Sequence, residues 1–154
     1  MGLHSLNQLR RVRLLLTGLR RRWLQWRSGV VIDPSASISL SSRMIAGEKG
    51  GVVIGPESLV AFKTLIDARD LASGDIRPIR IGRRCFIGGG SMIMPGVTIA
   101  DEVIVAGGAV VTSDVPARSI VAGNPARIVR SDIEVGRFGR LKGADENSLR
   151  LYKR

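Results

Sequence analysis

A six-residue hydrophobic period runs through the middle of this chain and excludes most folds at once. Ile81, Ile87, Ile93, Ile99, Val105 and Val111 stand six apart, and every one is β-branched. Four residues after each come Cys85, Ser91, Val97, Val103, Ala109 and Val115, all small or moderate in size. An amphipathic helix repeats at three and four, and a half-buried hairpin strand at two. A strict step of six suits a coil with short flat sides, each side sending one aliphatic inward to stack on the next coil. Gly82, Gly88, Ala100 and Ala106 follow the aliphatics, where the coil must turn with a minimal side chain. The expectation is an all-β parallel β-helix of hexapeptide repeats, its strands pairing one coil apart at about 4.8 Å.

The same step appears upstream at Ile32 and Ile38, then at Ile54, Val60 and Ile66. It breaks twice. Gly47, Gly50 and Gly51 mark a turn or bulge between Met44 and Val52. Between Ile66 and Ile81 the gap is fifteen; set against two regular steps, it predicts about three residues looped out around Ala72-Ser73-Gly74-Asp75. A loop ejected from a regular solenoid is a natural place for a site, although a neutral surface insertion would look the same. Three sides per coil allow roughly five coils between Ile32 and Ala126.

Three segments follow: a basic amphipathic helix over 1–30, the β-helix over 31–130, and a basic, partly ordered tail over 131–154. In the first, Leu9, Val12, Leu16, Leu19, Trp23 and Trp26 form one stripe within Leu3–Arg27. The net charge of +11 is concentrated at the ends. Residues 1–27 hold seven Arg and no acid, whereas 28–126 hold nine basic and nine acidic residues. A neutral body argues against nucleic acid as the partner. The Arg/Trp helix suits an anionic membrane surface, and it equally suits packing on the body or on a sister subunit. No apolar run approaches the roughly 18–20 residues of a membrane span. A single cysteine, Cys85, excludes an intrachain disulfide and points to a reducing, cytoplasmic setting, with the helix resting on the inner face of the membrane. With His4 the only histidine, no metal-ligand cluster can form.

Residues 81–130 read IGRRCFIGGGSMIMPGVTIADEVIVAGGAVVTSDVPARSIVAGNPARIVR. This closely resembles the hexapeptide-repeat acyltransferases, the group holding maltose, galactoside and nodulation-factor acetyltransferases and many sugar O-acetyltransferases of surface polysaccharides. The segments PGV-x-I, GAVVT-x-DVP and VAGNPAR-x-VR carry the likeness. The resemblance implies a left-handed winding, a homotrimer, acetyl-CoA as acyl donor in a groove between subunits, and a sugar acceptor. It implies a donor groove using Gly88, Gly89 and Gly90, then Ala106 and Gly107, then Thr112. Asn124, Pro125, Arg127 and Arg130 would meet the adenine and phosphates, and paired Arg side chains suit phosphate chemically. Solvated surface charge is the plain alternative for the two Arg. Phe86 stands where the group often carries Trp, and Cys85 reads as core filling rather than a nucleophile.

One departure matters. The group carries a histidine base on the loop before this segment, and here that loop reads TLIDARDL from Thr64 to Leu71. Asp67 and Asp70 are the candidate catalytic carboxylates in its place, if burial raises their pKa. Arg69 between them would lower those values, and the three could form a plain surface ion cluster. An acceptor needing little help beyond positioning would also do. The alternative function is a non-catalytic β-helix binding or scaffolding subunit.

Overall fold

The structure, a computed structural model, describes residues 18–19, 23, 26–144 and 150. Backbone at Gly18, Leu19, Trp23, Trp26 and Arg27 is helical. The remainder of the helix expected over Leu3–Arg27, His4 included, lies outside the described residues.

From Val31 the chain winds through three parallel faces. Face one stacks β1 (Val31–Ile32), β4 (Val52–Ile54), β7 (Ile79–Ile81) and β10 (Thr98–Ile99). Face two stacks β2 (Ser37–Ile38), β5 (Leu59–Val60), β8 (Phe86–Ile87), β11 (Ile104–Val105) and β13 (Ile120–Gly123), with β14 (Ala126–Arg130) antiparallel at its edge. Face three stacks β3 (Arg43–Ile45), β6 (Leu65–Asp67), β9 (Met92–Ile93) and β12 (Val110–Val111).

The registers show why the six-step works. Val60 pairs Ile87 and Ile87 pairs Val105, so each inward aliphatic lies on the aliphatic of the next coil. Ile32, Ile54, Ile66, Ile87, Ile93, Ile99, Val105 and Val111 are all nearly or fully buried. The small positions fill the inner corners. Buried hydroxyls there satisfy corner carbonyls: Ser58 Oγ donates to Gly82 O at 2.7 Å, Ser91 Oγ to Gly88 O at 2.7 Å, and Ser119 Oγ to Pro116 O at 2.6 Å. No buried side-chain polar atom among the described residues lacks a partner.

Two expectations need correction. The coils number four, with a partial fifth formed by the Val115 bridge and β13. The insertion between Ile66 and Ile81 is nine residues, not three, because Ile66 ends on face three and Ile81 on face one. Only one six-residue step separates those faces, so most of the gap of fifteen is extra chain. With four further residues inserted between β3 and β4, the insertions consume chain that would otherwise have completed the fifth coil.

Both insertions leave the same corner. The longer one is a small hairpin, with Arg69 bridged to Ile76 and Asp70 N–H donating to Asp75 O at 2.8 Å. Ile76 occupies the space a side chain at Gly47 would need, locking the second insertion onto the first. The segment after residue 130 folds back along the coils. Ile133 is buried and its N–H donates to Arg118 O at 3.1 Å, while Phe138 N–H donates to Glu57 O at 2.8 Å. Gly139 lies against Phe86, where an added Cβ would come within 2.6 Å of the Phe86 backbone nitrogen. This strap over 131–144 lies against Phe86 on the outer side of face two, a contact that charge counting could not reveal.

Candidate functional site: a glycine file and an acidic hairpin on one face

The corner between faces two and three carries the first half of the site. Two residues beyond the paired positions Ile38, Val60, Ile87, Val105 and Val121 stand Leu40, Phe62, Gly89, Gly107 and Gly123. Five successive coils therefore present a file of two large apolar side chains and then three glycines. Backbone bonds tie it together: Gly90 N–H donates to Phe62 O at 2.9 Å and Gly108 N–H to Gly89 O at 3.0 Å. Gly88 is confined, since an added Cβ would lie 2.5 Å from Gly107 N and 2.6 Å from Val105 O. Gly90 and Gly108 have no atom where a Cβ would sit and leave backbone open along the edge, a surface on which an extended ligand can lie close to amide groups, while the space above Gly89 is taken by the Phe62 ring.

The file ends at the closing turn. Chain that would form another corner instead makes the β13–β14 hairpin, with a cis peptide between Asn124 and Pro125. Arg127 and Arg130 are exposed on β14. Gly88, Gly89, Gly90, Ala106, Gly107, Asn124, Pro125 and Arg127 thus share one edge, whereas Arg130, expected beside Arg127, pairs with Ile120 at the far end of β13 because β14 runs back across face two. Sequence reasoning missed Leu40, Phe62 and Gly123. Their signal is readable only once the uneven coil lengths are known.

Thr112 lies at the opposite edge of face three, together with the acidic hairpin. There Asp67, Arg69, Asp70, Arg77, Met92 and Thr112 line an open groove of about 580 Å³. Asp67 is clamped by Arg69, whose Nε and Nη2 donate to its two carboxylate oxygens at 3.0 and 2.8 Å. That hydrogen bonding holds the Asp67 carboxyl below the usual range, outweighing partial burial. Asp70 accepts from Ala72 N–H at 3.0 Å and faces Arg77 at 3.6 Å, and its pKa is also lowered, chiefly by the Ala72 bond. Neither carboxyl has the raised pKa that a general base near neutral pH calls for. Cys85 has its thiol pushed up to about 11 by burial, which removes it as a nucleophile. Among the described residues no three His, Cys, Asp or Glu side chains gather to hold a metal.

Comparison with known proteins bears on this geometry. The family model described as the hexapeptide repeat of succinyl-transferase matches residues 78–113, the stretch from β7 to just past β12. Over that stretch the chain is similar to the hexapeptide-repeat family. The chain is 29% identical to the Escherichia coli (strain K12) protein named as the colanic acid biosynthesis acetyltransferase WcaF, over 68% of each. It is 43% identical to an acetyltransferase-named protein of Staphylococcus aureus (strain COL) over 34% of this chain and 27% of that protein. The chain therefore spans about a quarter of the length of that relative. Among solved structures, a Vibrio cholerae hexapeptide-repeat acetyltransferase in complex with acetyl-CoA is similar at TM-score 0.60 and 31% identity, covering 67% of this chain and 60% of that one. The polysialic-acid-specific acetyltransferase NeuO is similar at TM-score 0.63 and 25% identity, covering 80% and 62%.

Proposed function

We propose that this chain is an acetyl-CoA-dependent acyltransferase. Its acceptor is a sugar of a surface polysaccharide, a lipopolysaccharide or a lipid-linked glycan precursor. The observation that carries this is the glycine file ending beside the exposed Arg127, a lane for a thin extended donor with phosphates at one end. The acetyl-CoA complex of the Vibrio cholerae relative supports the donor, and the WcaF and NeuO names support the acceptor class.

The two halves of the site lie on opposite edges of face three. A single copy cannot wrap one ligand with both. A left-handed homotrimer would set one copy's glycine edge against the next copy's Thr112 edge, completing the groove. There the acceptor oxygen attacks the thioester carbonyl carbon, the C–S bond breaks, and the hydroxyl proton passes to the departing sulfur. Asp67 and Asp70 stay ionised at neutral pH, so they accept a hydrogen bond from the acceptor hydroxyl and orient it. Holding the two reactants together supplies most of the rate.

A purified sample with acetyl-CoA, a thiol reporter and a panel of sugars tests the reading. Thiol release that falls in Asp67→Ala or Asp70→Ala supports the orienting carboxylates; equal turnover in both variants removes them from the mechanism. The lowered pKa of both carboxyls, with His4 the sole histidine, favours one second reading: a binding or scaffolding subunit. CoA binding without turnover on any acceptor would establish it.

The arrangement of 1–30, 31–130 and 131–154 fits a catalytic body with a basic docking helix on the cytoplasmic side of a membrane. Trp23 and Trp26 are exposed, and no helix among the described residues is long and apolar enough to cross a membrane. Flotation on anionic liposomes should be lost when residues 1–27 are removed; unchanged flotation refutes the docking.

A further inference from the structure

The file of corner residues changes character between its second and third coils. Gly89, Gly107 and Gly123 form the half nearest Arg127, while Phe62 and Leu40 form the other half. The Phe62 ring is 61% exposed, so it fills no core. It leans onto the glycine half: a Cβ built on Gly89 would meet ring atoms Cζ, Cε1 and Cε2 at 2.7 to 3.0 Å. The ring therefore fills the space directly above Gly89, one coil spacing of about 4.8 Å from its own backbone. An extended ligand lying over Gly107 with its phosphates toward Arg127 meets the Phe62 ring at its far end.

We infer that Phe62 determines acyl-length specificity, closing the glycine lane so that only a short acyl group fits beyond the thioester. This rests on the proposed donor groove. Between Gly123 and Gly89 the one obstructing side chain is that of Phe62, and Leu40 stands a coil beyond it. Phe62→Gly would extend the glycine file by one coil. Each methylene admitted to or excluded from an apolar site is worth roughly tenfold or more.

Calorimetric titration of the full chain with acetyl-, butyryl- and hexanoyl-CoA reads this without needing an acceptor. The wild type should bind hexanoyl-CoA at least about tenfold more weakly than acetyl-CoA, and Phe62→Gly should bring the two within roughly threefold. Leu40→Ala, one coil farther along, should leave the wild-type ratio in place. A wild type indifferent to length, a Phe62→Gly variant that keeps the preference, or an equal change in Leu40→Ala overturns the inference alone. Failure of every CoA species to bind the wild type overturns the donor groove and the inference together.

Discussion

Gly88→Ala is the substitution for which the structure supplies the sharpest number. The new Cβ would lie 2.5 Å from Gly107 N, 2.6 Å from Val105 O and 2.7 Å from Ala106 C, where ordinary contact begins at 3.4 Å. All three are backbone atoms, so no side chain can swing aside. The fourth coil must retreat from the third by about 0.9 Å at that corner. That stretches the Gly88 N to Val105 O bond of 2.9 Å and the Gly108 N to Gly89 O bond of 3.0 Å past useful length. The Gly88–Val105 bond is buried, and leaving it unmade costs about 1–3 kcal/mol, whereas the Gly108–Gly89 bond lies at the exposed edge and is worth about 0.5–1.5 kcal/mol. The expected loss is thus roughly 1.5–4.5 kcal/mol, or about 3–18 °C in Tm for a chain of this size.

Gly90→Ala is the control. Nothing lies within 4 Å of its Cβ, and the cost is the left-handed backbone alone at φ 70°, about 1–2 kcal/mol. Thermal and urea denaturation of the two variants checks the order. Equal losses in both would refute the argument that coil-to-coil contact, rather than backbone conformation, demands glycine at position 88.

Ile133→Ala should cost about 2–5 kcal/mol in urea unfolding, because Ile133 is buried where the strap meets the last coil; a surface-like loss under about 0.5 kcal/mol would contradict the packing. Cys85 should resist alkylation at pH 8 in the native state and react on unfolding, its thiol being buried with a pKa of about 11. Asp67 has a depressed folded-state pKa, so its pairing with Arg69 stabilises the fold above the unfolded value of about 3.9 and is lost as pH falls through the lower folded value. Asp67→Asn should therefore be less stable than wild type at pH 7, with the difference vanishing toward pH 2, as read by pH-dependent denaturation. Arg127→Ala should weaken CoA binding about tenfold and lose most of that effect at high salt, as for an exposed phosphate contact.

How much of this was legible in the chain follows from where each signal resides. The period from Ile81 to Val111 is a local regularity, and stacking one aliphatic on the next is the physical consequence of a constant step. Ile87, Val105 and their neighbours could therefore be placed inward before any coordinates. The small residues at Cys85, Ser91 and Val97 were legible for the same reason, since an inner corner has room for little else. The glycines of the IGGG turn were legible as tight turns, though which of them is confined and which merely exposed was not.

What sequence could not supply was the count across irregular joins. The gap from Ile66 to Ile81 admits two readings, and only the faces on which the two residues land separate them. That choice decides how many coils exist, which residues stack in one file, and that Phe62 stands over Gly89. The strap is a second case, because its polar composition hides the buried Ile133 and the Gly139–Phe86 contact. The carboxyls are a third: that Arg69 lowers them was legible, but only the hairpin shows it gripping both oxygens of Asp67 while Asp70 turns to the Ala72 N–H and Arg77. Periodicity is a one-dimensional property that a strand stack copies directly; alignment between coils is a sum over every insertion along the way, and only the folded chain performs that sum.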